Sequence, residues 1–145
     1  MTTSPRTASL LASRSRTRRI LRGTVIALFT ASGVVHLVKP SAFEEFLPSA
    51  LPAPVAVNAV AGVVEMACAY GLLRRRTWAG PASAVVLLAV WPSNLQYAVR
   101  ATAEAGLTSP KALLAWARMP VQIPMIWGVL MPVDDPESPA VATSD

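Results

Sequence analysis

Four long apolar stretches, Ile20–Val38, Val55–Leu73, Trp78–Val99 and Ala112–Met131, constrain this chain more than any other feature. Each is close to the ~20 residues that a helix rising 1.5 Å per residue needs to cross about 30 Å of hydrocarbon. A helix on a soluble protein shows a charged stripe every three or four positions. Trp78–Val99 contains no charge, and Val25–Val38 has only Thr30, Ser32 and His36 as polar residues. Charged residues make up 14% of the chain, against about 25% in a soluble domain. The expected fold is all-α, a four-transmembrane-helix antiparallel bundle in one domain.

The 13 Lys and Arg outnumber eight acids, a net charge of +5. On a soluble protein this would suggest a nucleic-acid partner. Here the basic residues cluster beside apolar runs, which is the pattern of membrane orientation, so no nucleic acid is expected. Arg14, Arg16, Arg18, Arg19 and Arg22 lie at the start of the first span, and Arg74, Arg75 and Arg76 form the turn between the second and third. The other two loops hold Lys39, Glu44 and Glu45, then Arg100, Glu104 and Lys111. The positive-inside rule therefore puts the N-terminus and the triple-arginine turn in the cytoplasm. An even number of crossings returns the acidic tail, with Asp134, Asp135 and Glu137, to the same side. The arginine turn is read as a solvated run that touches anionic lipid heads.

Residues 1–19, rich in Ser, Thr and Arg without apolar periodicity, are expected to be a disordered cytoplasmic tail, and 132–145 a disordered acidic one. A cleaved signal peptide is the rival for the first segment, but the apolar run is longer than a signal core and three more spans follow. The fourth span carries Arg118, Pro120, Gln122 and Pro124, and a re-entrant segment is its alternative. In the first outer loop, Ser41 and Glu44 have capping-box spacing. Phe43, Phe46 and Leu47 are apolar at helical spacing beside Glu44 and Glu45. A short interfacial helix is expected there, ended by Pro48, Pro52 and Pro54; a plain connecting loop is the other reading.

Polar groups at membrane depth are the chemical signal. His36, Asn58, Glu65, Asn94, Gln96, Arg118 and Gln122 all lie in the expected spans. A charge in hydrocarbon is costly unless it meets a partner inside the bundle, so Glu65 and Arg118 are expected to face inward and pair. Depths counted at 1.5 Å per residue gather His36, Asn58, Glu65, Asn94, Arg118 and Gln122 in the outer half of the bilayer. Asn58 and Glu65 are seven apart, and Arg118 and Gln122 four apart, so each pair shares a helix face. Pro92 removes the N–H that would close on Leu88 O, so a kink is expected there, and Pro120 and Pro124 are candidates for further kinks. Two readings stay open. The layer is a pocket for a small polar or quinone-like head group, or it is hydrogen-bonding glue between helices.

Several chemistries are excluded. The single Cys68 allows neither an intramolecular disulfide nor dithiol redox. A lone His36 makes no metal site, and no Gly-x-Ser-x-Gly elbow supports a serine nucleophile. No catalytic residue is assigned.

The same residues carry a family resemblance. The first span reads Ala31-Ser-Gly33-Val-Val-His36 before Lys39-Pro40, and the second carries Gly62-Val-Val-Glu65. The third carries Trp91-Pro92-Ser93-Asn94, and the fourth Arg118-Met-Pro120-Val-Gln122 followed by Trp127. From about Ile20 to Met131 the chain resembles the DoxX family of small four-helix bacterial membrane proteins. The resemblance implies residence in a bacterial inner membrane and association with quinone-linked oxidoreductases, with His36, Glu65, Pro92, Asn94, Arg118, Pro120 and Gln122 as the family's recurring positions. It raises association with quinone, while the residues themselves make no cofactor evident; membrane lipid, redox partner proteins and further copies of the chain are the expected partners. The expected function is a membrane subunit of an oxidoreductase complex. The alternative is a non-enzymatic scaffold or assembly subunit whose polar network only fixes helix packing; a third is a small carrier, although no inverted repeat supports it.

Overall fold

The computed structural model describes residues 5–46 and 53–131. These residues form α1 (Pro5–Val38), a 3-10 helix (Pro40–Phe46), α2 (Pro54–Leu73), α3 (Ala79–Ala89), α4 (Trp91–Ala105) and α5 (Pro110–Leu130). Four stretches, Ser13–Val38, Pro54–Leu73, Ala79–Ala105 and Pro110–Leu130, are long and apolar enough to cross a membrane. Residues 47–52, between the 3-10 helix and α2, and those from 132 lie outside the described residues, so the expectations placed on them do too.

Helix α1 starts at Pro5 rather than Ile20, and the basic segment is helical from that point instead of irregular. Its Ala, Leu and Arg residues are strong helix formers, and proline suits a helix start. The hydroxyls of Thr17, Thr24 and Thr30 bond back to Ser13 O, Ile20 O and Ile26 O, so they need no partner from another helix. At α5, Pro110 occupies the first turn and the Ser109 side chain accepts from Ala112 N at 3.2 Å, a regular N-cap. Helix α4 stops at Gly106, whose φ of 82° lies in the left-handed region that favours glycine.

The third span is not one helix. It breaks at Val90, between α3 and α4, and Pro92 falls in the first turn of α4. Proline lacks the N–H that would carry the ladder across the break. By contrast, α5 runs as one helix through Pro120 and Pro124, where kinks were candidates.

Helix α1 packs mainly on α2 and also on α5; α2 touches α3, α3 and α4 both lie on α5, and the 3-10 helix touches α1, α2 and α4. Arg22 bonds Leu72 O near one end of the α1–α2 pair, Gly33 meets Gly62 further along, and Asn58 bonds Pro40 O at the other end. A Cβ on Gly62 would fall 2.8 Å from His36 Cβ and 2.9 Å from Gly33 O. Glycine therefore lets the two backbones approach, as small residues do between membrane helices. The core follows the same logic. One cluster joins Val25, Phe29, Cys68, Leu72, Ala79, Leu87, Met125 and Val129, and a second is built from Ala98, Ala101, Ala112 and Ala115 alone. Large apolar side chains face outward instead: Val63, Leu73, Val85, Leu114 and Ile123 are each about 60% exposed. A small-residue interior under a coat of large apolar residues suits a surrounding of lipid, not water.

Candidate functional site

The buried polar side chains of the bundle are His36, Asn58, Glu65, Ser83 and Gln122. They come from α1, α2, α3 and α5. The long spans place them by helical spacing: Ser32 and His36 lie one turn apart on α1, and Asn58, Glu65 and Cys68 follow one face of α2.

The outermost group is built around His36. Its imidazole stacks on Phe43 of the 3-10 helix, with centroids 3.6 Å apart and planes 16° from parallel. The Asn58 side chain lies beside the imidazole and donates to Pro40 O at 3.1 Å. Asn58 thus ties α2 to the start of the 3-10 helix, which sits against the histidine as a lid. His36 Nδ1 is buried and has no hydrogen-bond partner.

One to two turns deeper, Ser32 stands beside the Glu65 carboxyl. Glu65 is 7% exposed, and its Oε2 has no partner. Cys68, on the next turn of α2, stands beside Ser83 of α3, whose Oγ is fully buried without a geometrically complete hydrogen bond. Across the bundle, Gln122 Nε2 donates to Leu87 O at 2.6 Å. Leu87 lies in the last turn of α3, where carbonyls lose their helical partners. Gln122 therefore caps the broken third span from a neighbouring helix, and its own Oε1 is left without a partner. The carbonyl served is that of Leu87, one residue before the Leu88 carbonyl expected from Pro92 alone.

Arg118 departs from expectation. It is exposed on α5, its guanidinium carbon 5.9 Å from the Tyr97 ring centroid on α4, and no ion pair joins it to Glu65. The expected Glu65–Arg118 pair is therefore replaced by an inward carboxyl and an outward guanidinium. A long arginine can stack on an aromatic face and reach the wet edge of the bilayer, which avoids burying its charge. Nearby, Lys111 Nζ lies 5.6 Å from the same ring centroid and 3.2 Å from Glu104 Oε2, while Trp116 Nε1 donates to Thr102 Oγ1 at 3.0 Å. The α4–α5 end thus carries its polar groups on its surface. Asn94, half-buried on α4, has no side-chain bond to the other expected residues.

The structure brings His36 together with Asn58, buries Glu65 and Gln122 on separate walls of the bundle, and sets Arg118 apart. Ser32, Phe43 and Ser83 were not anticipated. For Ser83 a signal existed: Ala79, Gly80, Ser83, Ala84 and Leu87 repeat at buried helical spacing. Among the described residues, no group of three or more His, Cys, Asp or Glu could hold a metal. The four unpartnered atoms, His36 Nδ1, Glu65 Oε2, Ser83 Oγ and Gln122 Oε1, make a donor-poor interior. Gln122 Oε1 only accepts, Glu65 Oε2 accepts when ionised, and the other two either donate or accept.

A family model described as "Domain of unknown function (DUF8561)" matches residues 25–131, which take in most of the first span and all of the other three. No curated protein matches the chain, and no solved structure does.

Proposed function

The chain belongs to the DUF8561 family, and since that membership carries no activity with it, we propose a function from the site itself: a DoxX-like multi-pass membrane protein that binds a quinol-type head group as the membrane subunit of an oxidoreductase complex. The antiparallel four-helix bundle sits in a bacterial inner membrane with both termini in the cytoplasm, and the 3-10 helix lies at the outer interface.

One observation carries this reading. Four buried polar atoms on four different helices have no partner within the protein. A polar atom left unpaired in a low-dielectric interior costs about 1–3 kcal/mol, and buried ionisable groups within membranes mark sites of function. The partner best suited to them presents O–H donors. A quinol hydroxyl donating to Glu65 Oε2 and another donating to Gln122 Oε1 would satisfy both acceptors. Glu65 and His36 are the groups able to take up the protons a quinol gives up on oxidation, its electrons passing to a redox partner protein. Arg118, on the outside, has no part in this site.

The test is mass spectrometry of solvent extracts from detergent-purified full-length protein. Native protein is expected to carry quinone or quinol in near-stoichiometric amounts. Glu65→Gln, which turns the Oε2 acceptor into an amide donor or a reoriented amide, and Gln122→Met are each expected to reduce that content at least tenfold. Unchanged content in both folded variants would refute the site.

The second reading is a non-enzymatic scaffold. It is favoured by the bonds that Asn58 and Gln122 already make to another element. It predicts that Glu65→Met together with Ser32→Ala leaves partner assembly intact, since removing both members of a buried polar pair can be nearly neutral.

A further inference from the structure

The basic end of the bundle contains a second concavity, distinct from the polar interior. A pocket of about 310 Å³ lies between α1 and the end of α2, lined by Arg18, Arg19, Arg22 and Gly23 of α1, by Leu72, and by Arg75 of the following turn. Extension of α1 beyond its apolar part makes this pocket. The first arginines lie in a run without an apolar repeat, yet as helix they stand beside the α2–α3 turn. Arg18, Arg19 and Arg22 also precede the stretch matched by the family model.

Three details show how the pocket is held. Arg22 donates to Leu72 O at 3.0 Å, which fixes one guanidinium between the two helices. Arg75 adopts φ 52° as the left-handed residue that closes α2, with Arg75 N on Leu72 O and Arg76 N on Gly71 O, which sets its position beside the hollow. Arg22 also lies close enough to Arg75 and Arg18 for their charges to repel. Guanidiniums from two elements thus converge on one hollow. A Cβ placed on Gly23 would meet nothing within 4 Å, so the α1 wall is open there. Ile26 and Leu73 form the apolar side.

We propose that this pocket is a binding site for the phosphodiester of an anionic phospholipid, with Arg18, Arg19 and Arg75 around the phosphate, Arg22 as the fixed base and the exposed Leu73 against the glycerol and upper acyl chain. Guanidinium forks match phosphate oxygens. A basic pocket between membrane helices at the positive-inside end faces the leaflet in which anionic head groups concentrate. The inference does not depend on the quinol reading, because none of its residues belongs to the polar interior.

The test uses full-length protein in phosphatidylcholine nanodiscs doped with phosphatidylglycerol, with bound lipid counted by native mass spectrometry. Phosphatidylglycerol is expected to be retained and phosphatidylcholine, whose choline adds a positive charge, is not. An arginine near such a head group contributes about a fivefold change in affinity. Arg18→Gln with Arg75→Gln is therefore expected to weaken phosphatidylglycerol retention about 25-fold. Arg14→Gln with Arg16→Gln, the same charge change outside the pocket, should alter it less than about twofold. Equal losses in the two pairs would mean diffuse surface attraction and overturn the site, as would no loss in the first pair. Displacement of the lipid by millimolar inorganic phosphate would assign the pocket to a soluble anion and overturn the lipid assignment. Arg22 is left intact because it holds Leu72, and circular dichroism of each variant confirms that a loss of lipid is not a loss of fold.

Discussion

Replacing Gly62 with alanine adds one methyl group at the place where α1 and α2 come closest. That carbon would lie 2.8 Å from His36 Cβ and 2.9 Å from Gly33 O. Favourable contact between such atoms begins at about 3.5 Å, so the helices must part by roughly 0.7 Å. A gap of that size forfeits a quarter to a half of each dispersion contact along the seam. Neither neighbour is the free end of a flexible chain: one is backbone and the other a Cβ. The overpacking cost should therefore fall in the upper part of the usual range, about 2–3 kcal/mol. Alanine returns about 0.8–1 kcal/mol as the better helix former, which leaves a net loss of about 1–2 kcal/mol. Gly23, on the same α1 but with nothing within 4 Å of an added Cβ, provides the control. There the propensity gain stands alone, and Gly23→Ala should stabilise by up to about 1 kcal/mol. Unfolding by dodecyl sulfate in mixed micelles, followed through the fluorescence of the four tryptophans, measures both. Shifts of the same sign in the two variants would refute the claim that backbone contact between α1 and α2 sets the packing. Gly33→Ala is expected to cost about as much as Gly62→Ala, because its added Cβ would lie 2.9 Å from the backbone Gly62 O.

Two further outcomes follow from the site geometry. Gln122→Leu removes the donor to Leu87 O and leaves a buried carbonyl unpaired, which should cost about 1–3 kcal/mol, whereas Arg118→Met, removing an exposed stacking partner of Tyr97, should cost about 0.5–1 kcal/mol; in the same unfolding assay the reverse order would show that Arg118 supports the interior after all. For orientation, a cysteine at Val141 in a Cys68→Ala background should resist a membrane-impermeant maleimide added to intact cells, and rapid labelling would put the C-terminus outside.

Much of the fold was legible because hydrocarbon sets a length. Pro54–Leu73 and Pro110–Leu130 fall within two residues of the spans read from apolar runs. The third span was legible in extent but not in form, since a proline shows where a ladder is cut without showing whether the helix bends through the cut or stops there. At Pro92 the ladder is interrupted at Val90 and resumes with Asn94 N on Val90 O, whereas through Pro120 and Pro124 the helix is unbroken. The interior was only half legible. Glu65 and Gln122 lie where inward-facing polar groups must, but Arg118 shares the helical phase of Gln122 and still points away. Helical phase fixes where a Cα sits; the reach of a long side chain and an aromatic neighbour decide where its charge ends. Tyr97 is far from Arg118 along the chain, so spacing could not reveal the stack. The convergence of Arg18, Arg19, Arg22 and Arg75 was hidden for a related reason: a run of serine, threonine and arginine lacks the apolar repeat by which helices are recognised, yet it continues the helix begun in the membrane.

The bond from Gln122 to Leu87 O makes two distant positions answerable to one another. While Pro92 interrupts the third span, residue 122 must supply an amide; if the span were made straight, the Trp91 N–H could serve Leu87 O by itself. Drift at 122 would then be tolerated only in lineages that had first lost the proline, so the pair should pass from ancestor to descendant as a single heritable unit.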